Sequence, residues 1–297
     1  MAIIINETTK ILVQGITGKQ GQFHTSQMLA YGSKIVGGVT PGKRGEIVHG
    51  VPVYDTVEEA MAIEKAEASV IFVPAKQVKD VAFEALDGGI QTLVIVTEHV
   101  PLHDEMEIMA FAEKKHVQIL GPNTFGLISP GKTKIGIMPN SIFIPGSVGV
   151  VARSGTLSYE IVSHLTNAGI GQSSVVGLGG DRVVGLSFID VLTQFEADPE
   201  TEAVVLVGEI GGNAEEEASI FIKQMSKPVI AFLAGKSAPP GKKMGHAGAI
   251  IERGKGTYDS KVVDLKAAGA YVASLPWEVS DLVKRALNEK NDRLQSG

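Results

Sequence analysis

Short runs of branched apolar residues alternate with amphipathic stretches along the whole chain, and glycine-rich turns separate them. Residues 10–15, Lys-Ile-Leu-Val-Gln-Gly, read as a short buried strand. The stretch beyond the next turn carries helical periodicity to about Tyr31. Apolar runs at 34–39, 69–74, 92–96 and 117–120 predict four more strands, with helices over 78–86 and from about Leu102. A second series opens at 147–152 with a strand, followed by a helix to about Ala168. Strands at 174–178, 203–207 and 228–233 continue it, with helices over 188–195, 259–268 and from 276 to about 288. Apolar strand alternating with amphipathic helix is the pattern of α/β domains built on parallel sheets, which bind ligands at the carboxyl ends of their strands. Two such domains are expected, over residues 1–145 and 146–297, the first with a doubly wound five-strand sheet.

Composition agrees with this reading and narrows the chemistry. Of 297 residues, 44% are hydrophobic, enough for two cores, and 35 glycines suit many strand-to-helix turns. A net charge of −6 gives no basic footprint for nucleic acid. The chain has no cysteine, which excludes disulfides, thiolate metal sites and a cysteine nucleophile, and fits a reducing cytoplasm. No apolar run reaches membrane-spanning length, and residues 1–10 resemble neither a signal nor a transit peptide.

The first candidate site is the turn Gly15-Ile-Thr17-Gly18-Lys19-Gln20-Gly21-Gln22, between a strand and a helix. A glycine-rich turn there presents backbone N–H groups to phosphate. Its spacing is G-x-x-G-x-x-G, where the dinucleotide pattern is G-x-G-x-x-G. The next strand lacks the terminal acid that holds an NAD ribose and runs instead into Thr40-Pro41-Gly42-Lys43-Arg44. A lysine there suits a phosphorylated ribose. Coenzyme A, with its 3′-phosphate, and NADP are the candidates, and a turn that binds no phosphate is the structural alternative. Pro74-Ala75 and Thr97-Glu98 fall at the same strand ends. His99, His103, Asp104 and Glu105 read as an exposed helix start with acids favoured by the dipole, in preference to a metal site. Residues 126–133, Gly-Leu-Ile-Ser-Pro-Gly-Lys-Thr, match the letters of a P-loop, but an extended, proline-interrupted stretch follows where the motif needs a helix. The match reads as chance and the segment as a connection between domains.

In the second domain, Arg153-Ser154-Gly155-Thr156 repeats the strand–turn–helix arrangement and makes an anion site. Ala152 stands where a nucleophile elbow needs glycine, so Ser154 reads as a helix cap or phosphate ligand. Glu215-Glu216-Glu217 reads as a solvated helix start. Glu209 ends a strand among glycines. Gly241-Lys242-Lys243-Met244-Gly245-His246-Ala247-Gly248-Ala249 carries one histidine in a run of small residues, behind Pro239-Pro240. A loop histidine near cations suits a nucleophile toward phosphate, and a purely structural loop histidine is the alternative. Glu209 can fix its tautomer and stabilise its cation, while the Ser154 helix start receives a phosphoryl group.

With Gly15-Ile-Thr-Gly-Lys-Gln-Gly21, Gly37-Gly-Val-Thr-Pro-Gly-Lys43, Arg153-Ser-Gly-Thr-Leu-Ser-Tyr159, Gly208-Glu-Ile-Gly-Gly212 and Gly245-His-Ala-Gly-Ala249 in that order, the chain resembles the succinyl-CoA synthetase (succinate–CoA ligase) α-subunit family over essentially its whole length. The resemblance implies a Rossmann-like coenzyme A-binding domain followed by a flavodoxin-like ligase domain. It implies coenzyme A contacts from Thr17, Gly18, Lys19, Gln20, Lys43, Val96, Thr97 and Glu98. It implies His246 as the phosphorylated histidine, Glu209 as its partner and Tyr159 near the organic acid. The family's β subunit carries an ATP-grasp domain with Mg²⁺ and ATP or GTP, in αβ or α2β2 assemblies. The family's frequent Cys-Pro is Thr124-Phe125 here, and its usual Gly-Gly-Asp-Pro is Gly179-Gly-Asp-Arg182, an arginine also similar to ATP-citrate lyase and citryl-CoA synthetase.

The function expected from this is a cytoplasmic acid–CoA ligase working on succinate, through an acyl phosphate and a phosphohistidine. Malate or citrate is the alternative substrate. An NADP-dependent oxidoreductase and a non-catalytic coenzyme A-binding regulator are the readings from other classes.

Overall fold

The computed structural model describes residues 3–238, 245–246, 248–251 and 256–296. Residues 239–244 and 247, which include Pro239, Pro240, Lys242, Lys243 and Met244 of the histidine loop, lie outside the described residues. The chain divides into two compact units. The N-terminal unit is Ile4–Asn140 with Asp181–Leu186, and the C-terminal unit is Met1–Ile3, Ser141–Gly180 and Ser187–Gly297.

In the N-terminal unit the elements are β1 (Lys10–Gln14), α1 (Lys19–Tyr31), β2 (Lys34–Val39), β3 (Ile47–Val48), β4 (Val51–Tyr54), α2 (Val57–Glu64), β5 (Ala68–Ile71), α3 (Val78–Asp87), β6 (Thr92–Ile95), α4 (Leu102–Lys115) and β7 (Gln118–Leu120). They build a seven-stranded sheet in the order β3-β4-β2-β1-β5-β6-β7, parallel except for β3 against β4. The expected five-strand sheet is thus two strands short. The missed pair is a hairpin turned by His49 and Gly50, whose φ values of 50° and 83° are those a tight two-residue hairpin requires. Only Val48, Val51 and Val53 of it are buried, so its apolar signal is faint. From Ile11 on, strands β1, β5 and β6 are buried at every position, as central strands of a parallel sheet are. Leu12, Ile71, Leu93 and Ile95 join Val78, Ala82 and Ala85 of α3 and Ile108 of α4 in one core.

The P-loop letters fall on an antiparallel hairpin, β8 (Gly126–Ser129) and β9 (Thr133–Gly136). Gly131 turns it at φ 75°, and Lys132 N–H donates to Ser129 O at 3.0 Å. No helix follows Thr133, so the segment cannot work as a P-loop; it is a paired hairpin and not a bare connection.

In the C-terminal unit the elements are β10 (Pro145–Ala152), α5 (Gly155–Asn167), β11 (Gln172–Gly177), α6 (Phe188–Ala197), β12 (Ala203–Glu209), α7 (Ala214–Ile222), β13 (Val229–Ala234), α8 (Tyr258–Ala267), β14 (Tyr271–Ala273) and α9 (Glu278–Ser296). Strands run parallel in the order β14-β13-β12-β10-β11. Strand β12 is buried at every position, as its uninterrupted Ala-Val-Val-Leu-Val run requires of a central strand. A capping box of Ser187 and Asp190 starts α6. Strand β14 is a three-residue edge, too short to be read from the sequence.

Candidate functional site

The chain direction of β12 decides where its last residue sits. Glu209 stands at the carboxyl end of a central parallel strand, buried, beside the carboxyl ends of β10 and β13. His246 returns to this edge. Its Nδ1 lies 2.7 Å from Glu209 Oε2. The other carboxylate oxygen, Oε1, is 3.6 Å from Arg153 Nε. A carboxylate on Nδ1 makes that nitrogen the N–H donor, so the ring's nucleophilic lone pair belongs to Nε2. The same carboxylate stabilises the cation that forms when Nε2 bonds to an electrophile.

Backbone geometry lets the ring in. A Cβ on Gly180 would lie 2.6 Å from the imidazole, so the ring packs where only a hydrogen fits. Gly248 N–H donates to Gly180 O at 3.2 Å and Ala249 N–H to His246 O at 3.2 Å, which fixes the described part of the loop. A Cβ on Gly211 would meet Gly248 O at 2.3 Å, so the strand end and the loop approach as closely as backbones can.

A cavity of about 270 Å³ opens here, lined by Ser154, Leu157, Glu209, Gly235 and His246 among others. Ser154 occupies the N-cap position of α5 in extended conformation, with no side-chain cap hydrogen bond. The first-turn N–H groups of α5, from Gly155 and Thr156, have no intrahelical acceptor, and with the helix dipole they favour an anion. A histidine, a carboxylate behind it and a helix start whose N–H groups face outward therefore share one cavity. Tyr159, one turn along α5, is not among the cavity-lining residues. It packs edge-on against Phe143, with ring centroids 6.4 Å apart, and burial pushes its phenol pKa up.

The expected coenzyme A residues gather at the carboxyl edge of the N-terminal unit's sheet. Gly15 turns the chain at φ 83°, and Gly18 N–H donates to Gly15 O at 3.1 Å. A Cβ on Gly21 would lie 2.1 Å from Gly15 O, so the helix start is pressed onto the turn. Gly18, Lys19 and Gln20 are exposed there, and the Thr17 and Thr40 hydroxyls lie 3.2 Å apart. Lys43 and Arg44 donate their backbone N–H groups to Asp55 Oδ1 at 3.0 and 3.1 Å, which shapes the loop after β2. The Lys43 ammonium, exposed, pairs with Glu46 at 2.8 Å, and that hydrogen bond raises its pKa. Val96, Thr97 and Glu98 follow β6; Thr97 hydroxyl donates to Val73 O at 2.8 Å, and Glu98 is exposed.

Two acids differ from the solvated helix starts expected of them. Glu215 is fully buried, with Glu209 N–H donating to its Oε1 at 3.0 Å and Lys261 on its Oε2. Glu105 is also buried. Burial and a hydrogen bond with Asp181 push its carboxyl up to about 8. Asp181 Oδ1 accepts in turn from Asn123 at 3.1 Å. Neither partner is near in sequence, so local pattern carried no signal for either. His99 is exposed at φ 63°, and among the described residues no group of three or more metal-ligating side chains occurs. No helix among the described residues is long and apolar enough to cross a membrane.

Family models and relatives place the two-domain chain among coenzyme A-dependent ligases. Residues 6–99 match the CoA binding domain model, and residues 151–271 match the CoA-ligase model. The chain is 58% identical over 287 residues, 97% of its length and 100% of the relative's, to succinate–CoA ligase [ADP-forming] subunit alpha 2 of Archaeoglobus fulgidus. It is 51% identical over 97% of its length and 95% of the relative's to succinate–CoA ligase [ADP-forming] subunit alpha of Aquifex aeolicus. Among solved structures, ATP citrate lyase from Methanothrix soehngenii in complex with citrate and coenzyme A superposes with a TM-score of 0.88 at 26% identity. That match covers 98% of this chain but only 51% of the lyase chain. The chain belongs to the succinate–CoA ligase α-subunit family.

Proposed function

We propose that this chain is the catalytic α subunit of a succinate–CoA ligase, converting succinate, coenzyme A and a nucleoside triphosphate to succinyl-CoA, diphosphate and phosphate. Its N-terminal unit binds coenzyme A, through Thr17, Gly18, Lys19, Gln20, Lys43, Val96, Thr97 and Glu98. A β subunit with an ATP-grasp domain supplies nucleotide and Mg²⁺, in an αβ or α2β2 assembly within the cytoplasm. The family relationship, at 58% identity over 97% of the chain, supports this reading.

The observation that carries the mechanism is the 2.7 Å contact between His246 Nδ1 and Glu209 Oε2 inside the cavity of Ser154. His246 Nε2 attacks the terminal phosphorus of the triphosphate, and the diphosphate leaves. Glu209 holds the Nδ1 proton and balances the positive charge on the ring. The phosphoryl group rests at the start of α5, against Ser154, Gly155 and Thr156, where N–H groups and the dipole neutralise its oxygens. A succinate carboxylate, with Tyr159 nearby, then attacks the phosphorus, and Nε2 leaves. Finally the coenzyme A sulfur attacks the acyl carbon, and inorganic phosphate departs.

Mixing this chain and its β subunit with nucleotide labelled in the terminal phosphate tests the reading. The expected result is acid-labile, base-stable label on this chain. His246→Asn abolishes it, while calorimetry shows coenzyme A affinity nearly unchanged. Undiminished label on the variant would show that another residue carries the phosphoryl group.

A further inference from the structure

Beyond Glu209, a second carboxylate fits the reaction, buried behind the strand end. Strand β10 pairs with β12 as far as Ala152 opposite Val207, and Arg153 N–H donates to Val207 O at 3.2 Å. The chain then turns away into α5. On the other flank, Ile210 N–H still reaches Ala234 O of β13 at 3.2 Å. The N–H of Glu209 points toward the flank that β10 has left, where no strand carbonyl remains to receive it. A buried amide without an acceptor is costly. Glu215 Oε1 takes that place at 3.0 Å. Gly208 makes the approach possible, since a Cβ there would lie 2.6 Å from the same oxygen.

Lys261 makes the carboxylate tolerable. Its ammonium binds Glu215 Oε2 and lies 3.2 Å from Glu216 Oε2, and the Glu215 and Lys261 side chains are both 0% exposed. Lysine in the first turn of α8 opposes the helix dipole, so neither propensity nor dipole accounts for it. A buried ion pair of this kind is commonly no more stable than an apolar pair of the same volume. Its position supplies a reason that stability does not.

We infer that Glu215, held by Lys261, is a positioning residue for the histidine nucleophile: it fixes the backbone of Glu209, and through it the carboxylate on His246 Nδ1. The inference rests on His246 being the phosphoryl carrier. Glu215 is not among the residues that line the cavity, and it acts through Glu209.

The test uses the assembled enzyme, this chain with its β subunit, and terminally labelled ATP. One double variant, Glu215→Gln with Lys261→Met, removes both charges but keeps a carbonyl acceptor for the Glu209 N–H. Another, Glu215→Leu with Lys261→Met, removes the acceptor and keeps the bulk. The Gln variant is expected to label His246 within about threefold of wild type. The Leu variant is expected to label at least about tenfold more slowly, the scale of one well-placed hydrogen bond. Its Tm is expected to fall, because the Glu209 N–H loses its acceptor, and the acid limb of its pH–rate profile moves to lower pH because the imidazolium is less well stabilised. Equal labelling rates and coincident pH profiles for the two variants overturn the inference. If the Leu variant is insoluble, Glu215→Ala with Lys261→Met takes its place: slower labelling than the Gln variant with a shifted acid limb supports the inference, and a rate and profile equal to the Gln variant's overturn it. Absence of label on wild type, or full label on His246→Asn, is a separate failure, that of the phosphohistidine itself.

Discussion

The junction of β1 with α1 and the junction of β10 with α5 use one device, a strand that turns tightly into a helix and leaves its first N–H groups for an anion. They differ in what surrounds the helix start. At the first, glycine does the shaping: Gly21 presses onto Gly15 O, and the residues offered outward, Gly18, Lys19 and Gln20, are exposed. At the second, the helix start shares a cavity with a buried carboxylate and a histidine drawn from far along the chain. The first suits holding a ligand reversibly, and the second suits exchanging covalent bonds with one. The lesson is that a phosphate-binding turn does not define chemistry. The side chains that the tertiary fold delivers to it do.

The largest effect should come from closing the space each junction needs. Gly180→Ala puts a Cβ 2.6 Å from the imidazole and forces the ring off Glu209. A displacement near 1 Å costs about 10²-fold in rate. Phosphoryl labelling should fall by about that factor while coenzyme A binding is unaffected. Gly21→Ala should do the reverse, since its Cβ would meet Gly15 O at 2.1 Å and push α1 from its turn. It should destabilise the protein by about 1–3 kcal/mol and weaken coenzyme A, with labelling retained. If each variant damages both functions equally, the two junctions are not the separate devices described above.

A smaller effect is expected at Lys43. Its ammonium now pairs with Glu46 at 2.8 Å, and a ligand phosphate would take over that partnership. Lys43→Ala should weaken coenzyme A more than dephospho-coenzyme A by calorimetry, and Glu46→Gln should favour coenzyme A slightly. Equal weakening of both ligands by Lys43→Ala would remove the lysine from the 3′-phosphate.

A last test separates the units by their response to pH. Glu105 keeps its proton to about pH 8 when folded, against an ordinary value of 4.5. Between those values the folded state holds a proton that the unfolded chain has released. Stability should therefore decline as pH rises through that window. Glu105→Gln, which mimics the protonated acid, should flatten the dependence of Tm on pH between 5 and 8 for the N-terminal unit. An unchanged slope would mean that the carboxyl is ionised in the fold.

The sequence by itself determined the alternation of strand and helix, the parallel sheets, both glycine-rich or serine-bearing turns and the pairing of Glu209 with His246. These follow from local periodicity, from turn chemistry and from the rule that active groups collect at the carboxyl ends of parallel strands. It also excluded the P-loop letters correctly, because the residues after Thr133 cannot form a helix, and they form β9. Only the tertiary structure decided the fate of the acids at helix starts. Glu105, Glu215 and Glu217 have the same local setting, an acid in the first turn, yet the first two are buried and Glu217 is exposed. Burial of an acid depends on a partner that closes over it, Asp181 for Glu105 and Lys261 for Glu215, at sequence separations that no local pattern spans. The β3–β4 hairpin escaped for the opposite reason, since an edge that buries three valines leaves too few apolar positions to set a period. Periodicity reports which face of an element is covered; what covers it, and which charge waits there, is fixed only when distant segments pack.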